Sequence, residues 1–325
     1  MRYPFLATTL LMSTMLAGGS ACAQDAANYP TKPVRVVLGF APGGATDFQA
    51  RLFSQKVGEL LRQQFVVENR PSAAGAEAMG FVAKSPPDGY TLLAASSSFT
   101  VSSAFSGNLP ADPVKDFAPV SIMTIGPYLL AVHPSVPVKS VRDLIAVARA
   151  RPGELNFGGS SIGTSNHLAP LWLFSLTKIK ATYVPYGSTG QAVTAVLGGH
   201  IDATMGSAVG IGPHVKARRL RALGVTSAQR SSMMPDLPTI AEQGVPGYDY
   251  IVFFGWVMAA GTPAAIVNKL SGEFAKVAKS PDVVERIKSE GAEAVGSTPE
   301  QFRQLIVSEV PRWRKVVQDA GIKVE

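Results

Sequence analysis

The most informative segment of the chain reads Phe40-Ala41-Pro42-Gly43-Gly44-Ala45-Thr46-Asp47. An apolar run from Val34 to Leu38 precedes it and predicts a buried strand. Apolar residues follow it from Phe48 to Leu61, mostly three to four apart, which predicts an amphipathic helix. The segment is therefore a glycine turn between a strand and a helix. Because the free N–H groups of the helix start point out of this turn, with the positive end of the helix dipole behind them, the turn can bind an anion.

A second strand–turn–helix unit lies in the other half of the chain. Glu154 to Phe157 predicts a strand, and Asn166 to about Thr177 predicts a helix. Between them stands another glycine turn, Gly158-Gly159-Ser160-Ser161-Ile162-Gly163-Thr164-Ser165. We expect the two turns to face each other across a cleft and to hold one small anion between them.

Strands and helices alternate along the whole chain. Their order from Val34 to Ala95 predicts a parallel, doubly wound sheet, and residues 129–249 repeat the pattern. We therefore predict an α/β protein in which residues 29–128 and 250–325 form one lobe and residues 129–249 form the other. Separate strands are predicted at 120–122 and 128–132. Helices near 264–278, 281–290 and 299–319 are expected to return to the first lobe, and Pro311 should kink or split the last of them.

The N-terminus has the form of a secretory signal peptide. Arg2 precedes an apolar run from Phe5 to Ala17, and Ala21-Cys22-Ala23 is an A-x-A cleavage site. Residues 1–23 are the predicted signal, cleaved after Ala23, and we expect the mature protein to be soluble and periplasmic. Cys22 could instead carry a lipid anchor, but Gly19-Ser20-Ala21 lacks the leucine that usually stands three residues before such a cysteine.

Composition narrows the possible functions. The 325-residue chain has a formal net charge of +7, and its basic residues are spread out. One short cluster, from Lys216 to Arg221, is interpreted as a solvated helix end rather than a nucleic-acid patch. Four histidines and a single cysteine make a metal site improbable. Neither the dinucleotide glycine motif nor the P-loop motif occurs, so no cofactor is expected.

The second glycine turn also matches G-x-S-x-G, the nucleophile elbow of serine hydrolases, with Ser161 at its centre. The histidine of such a triad should follow late in the chain, after an acid, whereas His167 stands six residues after Ser161. No His-Gly-Gly oxyanion segment is present. A hydrolase that uses Ser161 remains an alternative, but the hydroxyl groups of this turn suit hydrogen bonding to a carboxylate better. His167 could line the cleft or pack in the helix start.

Other candidate ligand contacts follow from the rule that ligands of such sheets bind beyond the carboxyl ends of the strands. Asp47 is interpreted as a helix cap or a turn brace, although it could contact an ammonium group of a zwitterionic ligand. Trp256 is assigned to the core. The further candidates at strand ends are Phe40, Ser96, Ser97, Tyr186 and Ser207.

Several segments together resemble the Bug, or tripartite tricarboxylate transporter, substrate-binding receptors. The resemblance runs in order from about Tyr29 to the C-terminus. The segments that carry it are Tyr29-Pro30-Thr31-Lys32-Pro33-Val34-Arg35, Phe40 to Asp47 with Arg51, Val66-Val67-Glu68-Asn69-Arg70-Pro71, Pro87-Asp88-Gly89-Tyr90-Thr91, His167-Leu168-Ala169, Val184-Pro185-Tyr186, Gly198-Gly199 to Asp202, Pro246-Gly247-Tyr248 and Gly261-Thr262-Pro263.

This resemblance implies an extracytoplasmic receptor with a two-lobed periplasmic-binding-protein-like fold, each lobe a doubly wound β-sheet flanked by helices, with the ligand cleft between the lobes. It implies a small carboxylate as ligand, a membrane permease of the tripartite tricarboxylate type as partner, and no enzymatic activity. We expect a monomer. A ligand-gated sensor with a signalling partner is the other non-enzymatic alternative, and the identity of the carboxylate stays open.

The resemblance also implies which residues of the two turns grip the ligand. This chain departs from the family pattern at Ser72-Ala73-Ala74-Gly75, where a glycine pair is usual. The implied contacts are Pro42, Gly43, Gly44 and Asp47 on one side, and Ser161, Gly163, Thr164, Ser165 and His167 on the other.

Overall fold

The structure is a computed structural model that describes residues 28–105 and 109–322. The predicted signal segment 1–23, its cleavage site and Cys22 lie outside the described residues. Ten strands and ten α-helices are found in the described part of the chain. In order they are β1 (Val34–Leu38), α1 (Ala45–Leu61), β2 (Phe65–Asn69), α2 (Ala76–Ala83), β3 (Thr91–Ser96), α3 (Ser98–Phe105), β4 (Phe117–Val132), α4 (Val141–Ala150), β5 (Asn156–Gly159), α5 (Ser165–Thr177), β6 (Thr182–Pro185), α6 (Thr189–Leu197), β7 (Ala203–Ser207), α7 (Ala208–Lys216), β8 (Arg221–Val225), β9 (Ile251–Ala259), α8 (Ala264–Lys279), α9 (Pro281–Ser289), β10 (Glu293–Ala294) and α10 (Pro299–Asp319).

Two lobes share the same strand arrangement. In the first lobe β2, β1 and β3 are parallel, and β9 lies antiparallel between β3 and β4. In the second lobe β6, β5 and β7 are parallel, and the end of β4 lies antiparallel between β7 and β8. Parallel strands need crossover helices, so in both lobes the helices begin at the carboxyl ends of the strands. Those ends face the space between the lobes.

Strand β4 joins the two lobes. We predicted two separate strands at 120–122 and 128–132, but one strand runs without a break from Phe117 to Val132. Its first part pairs with β9, and its last five residues pair with β7 and β8. The register with β9 shifts beside Pro119 and again before Thr124. Such irregularities let a strand continue past residues that cannot donate a ladder hydrogen bond.

Helix α10 runs as a single helix from Pro299 to Asp319, so of the two predicted effects of Pro311 the split does not occur. This proline lies on the exposed side, where the carbonyl left unpaired one turn earlier can be hydrated. The helix also contacts both lobes rather than the first alone. Phe302 packs in the core of the first lobe, whereas the Trp313 ring lies 6.0 Å from Trp172 of the second lobe and shares a core with Leu173.

The architecture is thus a mixed α/β fold of two lobes, as the sequence predicted. No helix within residues 28–105 or 109–322 has both the length and the apolar character needed to cross a membrane.

Candidate functional site

Five helices begin at one cavity between the lobes. The helices are α1 and α3 of the first lobe and α5, α6 and α7 of the second, and residues at the start of each line the cavity. These residues are Gly44, Ala45, Thr46, Ser97, Ser98, Ser165, Asn166, Ser188, Thr189, Ser207 and Ala208. The cavity has a volume of about 60 Å³.

The electrostatics of this cavity favour an anion. Among the residues that line it, all in the described part of the chain, Asp47 has the one charged side chain, and no lysine or arginine contributes. The first N–H groups of a helix have no partner within the helix, and they carry roughly half a positive charge together. Five such helix starts around one space supply donors and positive potential without any cation.

The first glycine turn is held rigid by Asp47. Gly43 has a φ of 85°, and its N–H donates to the Asp47 carboxylate at 3.1 Å. Arg51 and Asn69 donate to the same carboxylate, at 3.0 to 3.1 Å. Burial disfavours the charge of Asp47, but the hydrogen bonds from Arg51, Asn69 and Gly43 outweigh it, so the pKa of this carboxyl is lowered. Asp47 is therefore an ionised brace of the turn.

His167 plays the equivalent part in the second turn. Gly163 has a φ of 80°, and its N–H donates to Nδ1 of His167 at 3.2 Å. The imidazole packs against the rings of Tyr183 and Phe105, at centroid distances of 4.6 and 5.2 Å. Burial lowers the pKa of His167 to about 4, so the ring is neutral at physiological pH. The two turns thus share one geometry, in which the fourth residue after the glycine accepts its N–H.

Hydroxyl groups connect the two lobes beside these turns. The N–H of Ser165 donates to the Ser98 hydroxyl across the cleft at 3.1 Å. The hydroxyls of Tyr128 and Ser165 are 2.6 Å apart. Because burial raises the pKa of Tyr128, its phenol stays protonated and can donate. This serine–tyrosine cluster, formed by Ser98, Tyr128 and Ser165, lies at one end of the cavity.

A third turn, at the start of α6, closes on the first. The N–H of Gly187 donates to the Gln191 side chain at 2.9 Å, again four residues on. A Cβ built on Gly190 would lie 2.8 Å from the Gly43 carbonyl oxygen. The lobes are therefore in direct contact around the cavity, as in a closed receptor.

The structure brings half of the predicted site residues to the cavity. Those that line it are Phe40, Gly44, Asp47, Ser96, Ser97, Ser165 and Ser207. The others do not line it: Pro42, Gly43, Ser161, Gly163, Thr164, His167 and Tyr186. In the second turn the reason is that His167 folds back onto the Gly163 amide, and the Thr164 hydroxyl donates to the Ser161 carbonyl. Contact with a ligand remains a prediction for both groups.

Several cavity residues were not predicted from the sequence. Ser188 and Thr189 follow a strand and open a helix, so the rule that found the two glycine turns could have found them as well. Ser98 extends the serine run that was noticed. Asn166 begins the helix after the second glycine turn and could have been found by the same rule. Gln49 and Thr124 carry no sequence signal, because their contact joins α1 and β4, which are far apart in the chain.

The hydrolase alternative finds no support in the local geometry. His167 presents Nδ1 to the Gly163 amide, and it makes no hydrogen bond to Ser161 within the described residues. Across the same part of the chain, no group of three or more His, Cys, Asp or Glu side chains could hold a metal ion.

Comparison with known proteins identifies the family. A family model described as tripartite tricarboxylate transporter family receptor matches residues 49–322. The chain belongs to this receptor family. Protein BugT of Bordetella pertussis is 34% identical to the receptor over 309 residues, which are 94% of this chain and 95% of BugT. The resemblance found in the sequence is thereby confirmed.

Solved structures show the same fold. An R. palustris protein solved with adipate superposes on the receptor with a TM-score of 0.87 and 35% identity, over 90% of this chain and 98% of that one. MatC from Rhodopseudomonas palustris, with bound malate, has a TM-score of 0.85 and 31% identity, over 89% of this chain and all of MatC. The two-lobed binding-protein fold predicted from the sequence is confirmed.

Proposed function

We propose that this receptor captures a small carboxylate in the periplasm and delivers it to the membrane permease of a tripartite tricarboxylate-type transporter. The carboxylate is held between the first glycine turn, around Gly44 and Ala45, and the start of α5 at Ser165. The lobes divide at residues 128 and 249, and the receptor acts as a monomer without a cofactor.

The convergence of five helix starts on one cavity carries this proposal. Such a cavity stabilises a buried negative charge through oriented N–H groups and hydroxyls, and it needs no arginine. Two family relatives of similar structure were solved with adipate and with malate, which are both small carboxylates.

The hydrogen bonds that the turns can donate supply enough free energy for micromolar binding of a carboxylate. A hydrogen bond to a charged group contributes about 1.5–3 kcal/mol net, and micromolar affinity needs about 8 kcal/mol. A handful of such bonds from preformed turns supplies this amount after the cost of ordering the lobes. Closure brings Gly190 against Gly43 and Ser165 against Ser98, so the permease can distinguish the closed surface from the open one.

Thermal unfolding of the mature protein, residues 24–325, against a panel of carboxylic acids tests the proposal. An acid at about one hundred times its Kd should stabilise the protein by about 2.7 kcal/mol, which raises Tm by roughly 4 °C for a chain of this size. Gly44→Leu, which fills the cavity, should abolish the shift. Gly272→Leu is the matched control, because a Cβ there has no atom within 4 Å. The absence of any shift, with protein shown to be free of ligand, would overturn the carboxylate assignment.

A further inference from the structure

Gln49 lies in the wall of the cavity, and among the described residues its side-chain amide has a hydrogen bond at the oxygen but none at the nitrogen. Its side chain is 5% exposed and lines the cavity together with Thr124. The Thr124 hydroxyl donates to Oε1 of Gln49 at 2.5 Å, which fixes the orientation of the amide. Within the residues that the structure describes, the Gln49 NH₂ group has no acceptor. This NH₂ group is not among the fully buried polar atoms that lack a partner, so it is open to the cavity and can donate to an acceptor there.

Gln49 and Thr124 lie at the opposite end of the cavity from the serine–tyrosine cluster. Thr124, Gly126 and Tyr128 alternate along β4 and therefore share one face of the strand. At about 3.3 Å per residue, Thr124 and Tyr128 are about 13 Å apart. Gly126 and Ala292 also line the cavity, and an added Cβ on Gly126 would lie 3.5 Å from the Ala292 Cβ. The cavity thus has polar groups at both ends of this part of β4.

Neither end offers a counter-ion to a cation. The two oxygens of Asp47 already accept hydrogen bonds from Gly43, Arg51 and Asn69. No second acidic side chain lines the cavity in the described part of the chain. An ammonium group on the ligand would also meet the positive ends of the surrounding helices. The Gln49 NH₂ group therefore suits an acceptor.

We propose that Gln49, oriented by Thr124, determines the specificity of this receptor by selecting a second carboxylate at the far end of the ligand. A distal ammonium or methyl group is disfavoured. This inference rests on the proposed function, in which the first carboxylate binds beside Ser165. The separation of about 13 Å between Thr124 and Tyr128 along β4 suits a short linear dicarboxylate held between Gln49 and Ser165.

Isothermal titration of ligand-free mature protein tests the inference. The ligands are succinate, glutarate and adipate, each beside its monocarboxylate of equal length, with 6-aminohexanoate as the ligand that carries a distal ammonium. At least one dicarboxylate should bind about tenfold or more tightly than its monocarboxylate, and adipate more tightly than 6-aminohexanoate.

Variants of Gln49 separate its role from that of the rest of the cavity. Gln49→Leu should weaken the preferred dicarboxylate by about 10- to 100-fold, so that its Kd falls within about threefold of the monocarboxylate value. Gln49→Glu should weaken adipate more than 6-aminohexanoate, because it places a negative charge at the same point. Gln55→Leu is the matched control on the same helix, since Gln55 is exposed and contacts Glu59 rather than the cavity. Thr124→Val removes the hydrogen bond that orients the Gln49 amide and should also lower the dicarboxylate preference. This variant provides the test if Gln49→Leu does not fold.

Two results would overturn the inference while the proposed function stands. One is equal affinity of the wild-type protein for the dicarboxylates and their monocarboxylates. The other is a dicarboxylate preference that survives both Gln49→Leu and Thr124→Val. If no acid of either kind binds, the proposed function fails, and the inference fails with it.

Discussion

Gly190→Ala should raise the Kd for the ligand without lowering the thermal stability of the ligand-free protein. Gly190 lies in the first turn of α6 in the second lobe, and Gly43 lies in the first glycine turn of the first lobe. A Cβ on Gly190 would stand 2.8 Å from the Gly43 carbonyl oxygen and 3.4 Å from its carbon. Because the two residues belong to different lobes, this clash exists only when the lobes are closed. The variant thus penalises the closed form alone.

The expected size follows from the cost of overpacking. An inserted methyl group that meets backbone costs about 1–3 kcal/mol, which corresponds to an increase in Kd of about 5- to 150-fold. In the open form, alanine within a helix is more favourable than glycine by about 0.5–1 kcal/mol. The free protein should therefore unfold at the same or a slightly higher temperature.

Isothermal titration with the best carboxylate of the thermal panel measures the first effect, and thermal unfolding of the ligand-free protein measures the second. Gly272→Ala in α8 is the control, because an added Cβ there has no atom within 4 Å, and its affinity should equal that of the wild type. If Gly190→Ala binds as tightly as the wild type, the closed contact between α6 and the first turn is not part of the bound state.

Three further predictions concern stability and the braces of the turns. Because burial lowers the pKa of His167 to about 4, the unfolded chain binds a proton between pH 6.5 and 4 that the folded protein does not. The unfolding free energy should fall by about 3 kcal/mol as pH falls through that range; equal pH slopes for His167→Gln and the wild type in urea titrations would contradict this. Trp313→Ala, which removes a fully buried ring 6.0 Å from Trp172 of the second lobe, should lower the unfolding free energy by about 3–5 kcal/mol in the same assay, and a loss under 1 kcal/mol would refute the bridging role of α10. Asp47→Ala leaves the Gly43 amide without its acceptor and should cost about 1–3 kcal/mol and raise the ligand Kd; unchanged affinity would show that the brace does not shape the turn.

The sequence predicted the elements of both lobes well because their patterns are local. The two glycine turns, the strands that precede them and the helices that follow were all recovered to within about two residues. Helix α3 was missed, since the serine-rich segment from Ser98 to Phe105 has little of the apolar periodicity that marks an amphipathic helix. The continuity of β4 was missed because Pro119 and Pro127 stand directly before the two predicted strands and suggested breaks. Pairing with β9 on both sides of these positions keeps the strand continuous.

The site could be predicted only in part, for a geometric reason. A turn between a strand and a helix can be recognised from its residues, but the direction in which each side chain points depends on the opposite lobe. Gly44 and Ser165 line the cavity, whereas Ser161 and His167 of the second turn point elsewhere. Gln49 was missed because an isolated glutamine on a helix cannot be told from a surface residue until its contact with Thr124 of β4 is known.

The central claim is that a carboxylate sits on helix starts inside the cavity. Titration of ¹⁵N-alanine-labelled mature protein with the best carboxylate, followed by amide NMR, tests it most directly. Ala45 and Ala208 open α1 and α7 at the cavity, whereas Ala264 opens α8 and does not line it. We predict downfield amide shifts at Ala45 and Ala208 that saturate at one ligand per protein, with Ala264 unchanged. Saturable binding that leaves both cavity amides unshifted would contradict the account.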